Sequence, residues 1–242
     1  MLMLIIYFLT FGLFVTLFTR EVIAPASGAQ CDKRWRLFAG VINALSLTVV
    51  VGAGFLFSNW INANSLISLP PQLGTVGASM VIFLVASLLA YGWHRLTHLS
   101  DTLWRVLHQL HHSPSRVETL TAFYVHPLDS FAASVLNAVV AYWIFGASAP
   151  VAGLVLMYVA IFNLVAHADI KPPYWLGYII QRPEMHRLHH ERNAHRNNYG
   201  LPLWDAVFGT WKNPHGGSVE CGFSPENEFR IREMLLMRSL DE

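Results

Sequence analysis

Nine histidines of this chain fall into four short clusters, each beside a long apolar segment: His94-Arg95-Leu96-Thr97-His98, His108-Gln109-Leu110-His111-His112, Asn163-Leu164-Val165-Ala166-His167 and His186-Arg187-Leu188-His189-His190. Spacings of i,i+3 and i,i+4 put the imidazoles of each cluster on one face of a helix. The two H-x-x-H-H clusters spread over roughly 100° of a helical wheel, wide enough to serve two adjacent ions. One mononuclear metal takes about three or four protein ligands. Nine imidazoles near one side of a membrane therefore point to two metals, and to a membrane enzyme doing metal chemistry on a lipid.

A single H-x-x-x-H pair is common by chance, and a lone histidine near a membrane surface usually makes a polar contact. Two H-x-x-H-H clusters and an H-x-x-x-H in one chain are much harder to explain that way. No cysteine flanks the clusters, which argues against a structural thiolate zinc site. Imidazole suits zinc, iron, copper and nickel, so donor type does not name the metal. A zinc hydrolase would normally also carry a general-base carboxylate, as in H-E-x-x-H, and neither His94 nor His108 is followed by Glu. A nitrogen-rich pair of sites facing lipid fits iron chemistry with O2 at a C–H bond. A metal transporter is the non-catalytic alternative, but transporters hold ions near the bilayer midplane, whereas these clusters sit at segment ends.

Metal-bound imidazoles usually give their other N–H to a carboxylate or carbonyl. Asp101, Asp129, Asp169, Glu184, Glu191 and Asp205 all lie near the clusters, and each reads equally well as a solvated charge or a helix cap. Asp129 and Asp169 flank apolar segments, where a carboxylate is costly unless paired.

The elements that carry these residues are membrane spans. Hydrophobic residues make up 54% of the 242-residue chain and charged residues 13%, about half the ~25% usual in soluble domains; mean hydropathy is +0.40. Stretches 1–19, 37–93 and 130–168 contain no Asp, Glu, Lys or Arg. One crossing takes ~20 helical residues. The first stretch is one span. The third is two, broken near Gly146–Pro150. The second reads as two, near 38–57 and 74–93, or as one span plus a shallow interfacial segment. The fold expected is an all-α integral membrane bundle of four to five spans, with a cytoplasmic helical cap carrying a histidine-rich dimetal site. It is one membrane domain over 1–242: N-terminal spans at 1–75, a histidine-box core at 76–215 and a cytoplasmic tail at 216–242.

All sixteen Lys and Arg lie in 20–36, 95–116, 171–212 or 230–238, and loops 58–72 and 147–150 have none. The positive-inside rule then puts the histidine clusters on the cytoplasmic side, with the N-terminus outside. Residues 1–19 read as an uncleaved span, since no basic residue precedes the apolar run and Arg20 follows it. Cys31 and Cys221 form no C-x-x-C pair and read as incidental reduced thiols. A net charge of +1 leaves no footprint for nucleic acid.

The ordered pattern H-x-x-x-H, H-x-x-H-H, H-x-x-H-H near span ends resembles the fatty acid hydroxylase/sterol desaturase superfamily of membrane di-iron oxygenases. Supporting pieces are Trp93-His94-Arg95, Leu103-Trp104-Arg105, His126-Pro127, Asn198-Tyr199-Gly200, Leu203-Trp204-Asp205 and Phe208-Gly209-Thr210. The resemblance covers about residues 80–215. It implies two iron ions, with zinc able to replace them in recombinant protein. It also implies O2 as co-substrate, and an external ferredoxin-like or cytochrome donor with its reductase. Metal ligands are implied at His94, His98, His108, His111, His112, His186, His189 and His190. His167 is similar to an extra ligand position of related membrane desaturases, and Asn163 would reach metal through water or simply bond between helices. His126 is placed beside the site or in a structural role, His195 beside the site or on a solvated loop, and His215 outside it. The three-residue spacer of the first box, where acyl-CoA desaturases have four, favours hydroxylation of a lipid C–H bond over desaturation. Arg187, Arg192 and Arg196 are candidates for docking the electron donor, or ordinary interfacial charges.

Overall fold

The structure is a computed structural model that describes residues 1–29, 32–58, 65–194, 196–216 and 219–240. Among these residues there is no strand, and one isolated antiparallel bridge joins Glu191 to Cys221. Five helices are long and apolar enough to cross a membrane. They are α1 (Leu2–Ile23), α2 (Lys33–Ser58), α3 (Gly74–Leu99), α5 (Pro127–Ala138, continued by a π-helical stretch Val139–Ile144) and α6 (Ala149–His167). Between α3 and α5 lies α4, a helical run over 101–112. Three short helices come after the last span: α7 (Pro183–His189), α8 (Pro202–Val207) and α9 (Ile231–Leu235).

The charge-free stretch 37–93 thus runs through two helical segments, Lys33–Phe57 and Pro71–Leu99, each long and apolar enough to span. The stretch 130–168 breaks where expected. Gly146 sits at φ +57°, and a Cβ there would come within 2.8 Å of Ser65. Pro150 then occupies the first turn of α6, where its missing N–H and fixed φ cost nothing.

α6 packs against both α1 and α3, and α2 against α5. Small and branched residues knit the bundle: Ile82 and Ala86 of α3, Val140 and Ala141, and Val151, Ala152 and Val155 of α6. The outward faces stay apolar, with Phe8, Phe11, Leu47, Phe55 and Met80 exposed, which is the pattern of helices solvated by lipid tails. The chain is therefore an integral membrane protein.

At one end of the bundle lie the ends of α1, α3 and α6 and the starts of α2 and α5. A buried ionic network ties them together. The Glu21 carboxylate accepts Thr119 N–H (2.9 Å), the Thr119 hydroxyl (2.7 Å) and Asp169 N–H (3.1 Å). Arg36 forks onto Glu118 at 2.6 and 2.9 Å. Arg116 bridges Glu118 (3.1 Å) and Asp169 (3.5 Å), and Arg187 reaches Asp169 at 3.6 Å. Removing one partner from such a network costs about 3–5 kcal/mol, because the charge left behind stays buried.

Residues 219–240 do not trail away as a tail. Phe223, Ile231, Met234 and Leu240 are buried with Trp35, Ala39 and Ile42 of α2 and with Leu110, Leu120 and Tyr124. The backbone reinforces this, since Phe223 N–H donates to the Ser113 carbonyl at 3.1 Å.

Candidate metal centre

The histidines meet at this end of the bundle. α3 carries His94 and His98 in its last turns. Ser100 caps the next helical run, its hydroxyl accepting Leu103 N–H at 3.4 Å. That run contains a five-residue π-helical turn, Trp104–His108, before Gln109–His112. A π turn inserts one extra residue and re-aims the side chains beyond it, and such turns cluster at functional sites. Pro183 starts α7, which delivers His186, His189 and, at its C-terminal end, His190.

Two groups form. One contains His94, His98, His108, His112 and His189, and the other His111, His167, His186 and His190; within each, one nitrogen per residue lies within 4.8 Å of the rest. The neighbours His111 and His112 go to different groups, as do His189 and His190. The groups touch, with the His112 and His190 rings stacked at 4.1 Å. His112, His189 and His190 are fully buried.

Main-chain carbonyls fix the tautomers. A carbonyl can only accept, so the ring nitrogen facing it carries the proton. His94 Nδ1 donates to Tyr199 O (2.7 Å), His189 Nδ1 to Asn197 O (2.8 Å) and His167 Nδ1 to Asn163 O (2.8 Å). In the neutral form of each ring Nε2 then carries no proton. The Nε2 atoms of His94 and His189 face each other at 3.0 Å. Two lone pairs at that separation repel unless a cation lies between them. In the second group the bare His167 Nε2 sits 3.2 Å from His111 Nε2 and 2.8 Å from His186 Nε2, which is 3.1 Å from His190 Nε2. Two imidazoles bound at ~2.1 Å and at right angles would be ~3.0 Å apart. The donor set fits divalent metal, and the buried His108 Nε2, which has no hydrogen-bond partner among the described residues, is a further free donor.

Burial, reinforced by neighbouring imidazoles, pushes His111, His186 and His190 well below the usual imidazole range. They are neutral at pH 7, the form that ligates metal.

Of the six nearby carboxylates, Asp129 bonds a histidine of the groups. Its Oδ2 accepts His108 Nδ1–H at 3.3 Å and its Oδ1 accepts Trp93 Nε1–H at 3.2 Å. Asp205 works at one remove. It is buried and accepts Tyr199 N–H (2.8 Å), Gly200 N–H (3.1 Å) and the Thr210 hydroxyl (2.7 Å), so it braces the loop whose carbonyl holds His94. Burial raises its carboxyl to about 6, against the pull of those hydrogen bonds. Asp169 and Glu184 are ion-paired to arginines.

The remaining sequence candidates separate clearly. The Asn163 side chain donates to Val159 O, and it is the residue's carbonyl that serves His167. His126 caps α5 by accepting Leu128 N–H at 3.1 Å and ties down Leu235 O at 3.2 Å; it joins neither group. His215 stacks on Tyr174 at 4.0 Å. His195 lies outside the described residues. Arg187 and Arg192 turn inward, Arg187 to Asp169 and Arg192 to the carbonyls of Gly222 (2.8 Å) and Phe223 (3.1 Å), so neither is a free docking charge; Arg196 stays exposed.

Sequence reasoning missed Asn197 and Tyr199 as partners, because they act through backbone carbonyls. One signal was available: Asn197 and Asn198 adopt positive φ, 71° and 53°, and Asn is among the few residues that accept that conformation. It also missed Trp104, whose ring lies against His98 at 5.2 Å and His112 at 5.1 Å.

Fold and site together define a helical membrane protein with a histidine-lined centre able to hold metal at one end of its bundle. The sequence profile of the fatty acid hydroxylase family matches residues 79–210, and the chain belongs to that family. Relatives include an alkylglycerol monooxygenase of Caenorhabditis elegans, 30% identical over 130 residues, which is 50% of this chain and 24% of that protein. Another is an alkylglycerol monooxygenase of Danio rerio, 29% identical over 155 residues, covering 58% of this chain and 32% of the relative. The match thus spans a quarter to a third of the relatives' length. No solved structure matches the chain.

Proposed function

We propose that this protein is a membrane lipid hydroxylase that consumes O2 and two electrons in converting an unactivated C–H bond to an alcohol, its two histidine groups being the residues that would hold two iron ions. The balance is one lipid C–H, one O2, two electrons and two protons giving one alcohol and one water. The observation that carries the reading is the pair of touching histidine groups, with the Nε2 atoms of His94 and His189 facing each other at 3.0 Å, at the end of lipid-solvated helices. When bound, the irons would supply O2 activation. His94, His98, His108, His112 and His189 would hold one ion and His111, His167, His186 and His190 the other, with zinc replacing iron in recombinant preparations.

The protein's own residues do the positioning. The carbonyls of Tyr199, Asn197 and Asn163 keep the proton on Nδ1 and leave Nε2 unprotonated. Asp129 does the same for His108. The surrounding buried residues exclude water, which strengthens every polar interaction at the centre. The functional core is residues 76–215, inside a single membrane domain whose first 75 residues supply spans. Both relatives are named alkylglycerol monooxygenases, which favours hydroxylation over desaturation and an alkylglycerol or related lipid as substrate. The basic residues Arg20, Lys33, Arg34, Arg36, Arg95 and Arg116 gather at the histidine end, which supports a cytoplasmic site and a cytosolic ferredoxin-like or cytochrome donor with its reductase.

The test is reconstitution of purified protein with a reductase, a donor, membrane lipid and oxygen-18. Label in a lipid alcohol, about two metals per active chain, lost turnover in His186→Ala and His189→Ala and normal turnover in His215→Ala are expected. An alkene product without label would make it a desaturase. A folded, metal-loaded chain with no O2 uptake would refute the enzyme.

A further inference from the structure

The segment after the third histidine cluster has its polarity reversed. In α8 the charged residue Asp205 is fully buried, while Leu203, Ala206, Val207 and Phe208 point outward and are exposed, Val207 by 62%. The 3-10 turn Tyr174–Tyr178 behaves alike: Trp175, Tyr178 and Ile179 are exposed at 60, 60 and 67%, and no charge lies between Lys171 and Arg182. The two elements join edge to edge. Trp211 Nε1 donates to Gly177 O at 3.2 Å, and the Trp211 and Tyr178 rings meet at 5.4 Å. A water-facing cap would put Asp205 outside and these rings inside.

Depth is set by one hydrogen bond. Trp204 Nε1 donates to Ser87 Oγ at 2.9 Å. Ser87 belongs to the apolar helix that runs over Pro71–Leu99. Crossing the hydrocarbon layer takes ~20 residues. Any stretch of that length within 71–99 contains Ser87. Wherever α3 sits along the membrane normal, Trp204 is therefore at the level of the lipid tails. Its neighbours Leu203 and Val207 are exposed, as are Leu84 and Leu89 of α3 on either side of Ser87 in the chain. Phe208 is held just above by stacking on Tyr91 at 5.1 Å. Tryptophan and tyrosine are enriched where tails give way to headgroups, and the turn that carries Trp175 and Tyr178 is tied through Trp211 to a segment whose Thr210 bonds Tyr91, one turn along α3 from Ser87 toward the histidines.

We propose that α8 and the Tyr174–Tyr178 turn form a membrane-inserted surface whose partner is the lipid bilayer. α8 lies among the upper acyl chains and the aromatic turn at the headgroup boundary. The surface stands apart from the catalytic reading, because it rests on polarity and depth alone.

The experiment is spin labelling of the full chain in lipid nanodiscs. In a chain with Cys31 and Cys221 changed to Ser, single cysteines replace Val207 and Trp175, with Leu47→Cys as a span control and Glu226→Cys as a water control. Collision with O2, which concentrates in lipid, is compared with collision with a water-soluble nickel chelate. The label at 207 should approach position 47, at least about fivefold more shielded from nickel than position 226, and the label at 175 should fall between positions 47 and 226. Nickel access equal to position 226 would overturn the proposal, and so would shielding from both reagents, which would mean a protein contact. If a labelled variant fails to fold, the unaltered chain is irradiated in vesicles containing a photoactivatable phospholipid. Adducts on 173–179 and 203–208 as well as on the spans support the surface; adducts on the spans alone overturn it.

Discussion

Replacing Asp129 with Asn should weaken one metal and spare the other. The carboxylate accepts from His108 Nδ1 and Trp93 Nε1 at 3.3 and 3.2 Å. Asn keeps one acceptor oxygen but turns an NH2 toward the second donor, and it removes the negative charge that favours an Nδ1-protonated ring. Losing such an outer partner typically lowers metal affinity 10- to 100-fold. The contact is longer than the usual 2.9–3.0 Å, so the lower end applies: about tenfold, or ~1.4 kcal/mol. His108 belongs to the group of five alone. Titration of metal-free protein against a competing chromophoric chelator should therefore show two steps, with one displaced about tenfold and the other unmoved. Equal weakening of both steps would mean that Asp129 only supports the fold. No change in either would show that His108 is not a ligand.

Gly222→Ala should destabilise by at least ~2 kcal/mol, because the position needs a left-handed backbone. The new Cβ would also press on the backbone of Pro114 and Ser115; thermal unfolding in detergent reads this directly. Asp205 carries a raised carboxyl, so its protonated form favours the fold. Stability should fall by up to ~3 kcal/mol as pH rises from about 4 to about 6, and Asp205→Asn should flatten that slope in melts across the window; an unchanged slope would remove Asp205 as the cause. A topology reporter inserted at Ser65 or Ser148 should read as external and one fused after the last residue as internal, since the far loops carry no basic residue. The opposite pattern would place the histidines outside.

Much of this was legible from the chain because the signals are one-dimensional. Spans announce themselves as charge-free runs, and His94/His98 or His186/His190 announce a shared helical face by spacing. Even the division of His111 and His112 between groups accords with their angular spread. What could not be read was anything carried by the backbone or by a distant segment. The carbonyls of Asn197 and Tyr199 have no letter in the sequence. The π turn at Trp104–His108 is a change of register without a marker residue. Glu21 looks like an ordinary charge beyond a span, yet it is fully buried because Thr119 and Asp169 come to it from far along the chain. Residues 219–240 carry no periodic pattern long enough to betray that they close over Leu110 and Tyr124.

The source of each ring's proton placement divides the centre into a fixed part and an adjustable one. His94, His189 and His167 are set by carbonyls, and no side-chain substitution can delete a carbonyl. Their electronic character is insulated from point mutation and changes only if the chain itself moves. His108 is set by the side chain of Asp129, which a single base change can alter. Substitution at Asp129 would therefore retune one ring of the group of five while its neighbours His94 and His189 stay fixed by carbonyls. The asymmetry gives descendants of the sequence a route to new reactivity that leaves the scaffold untouched.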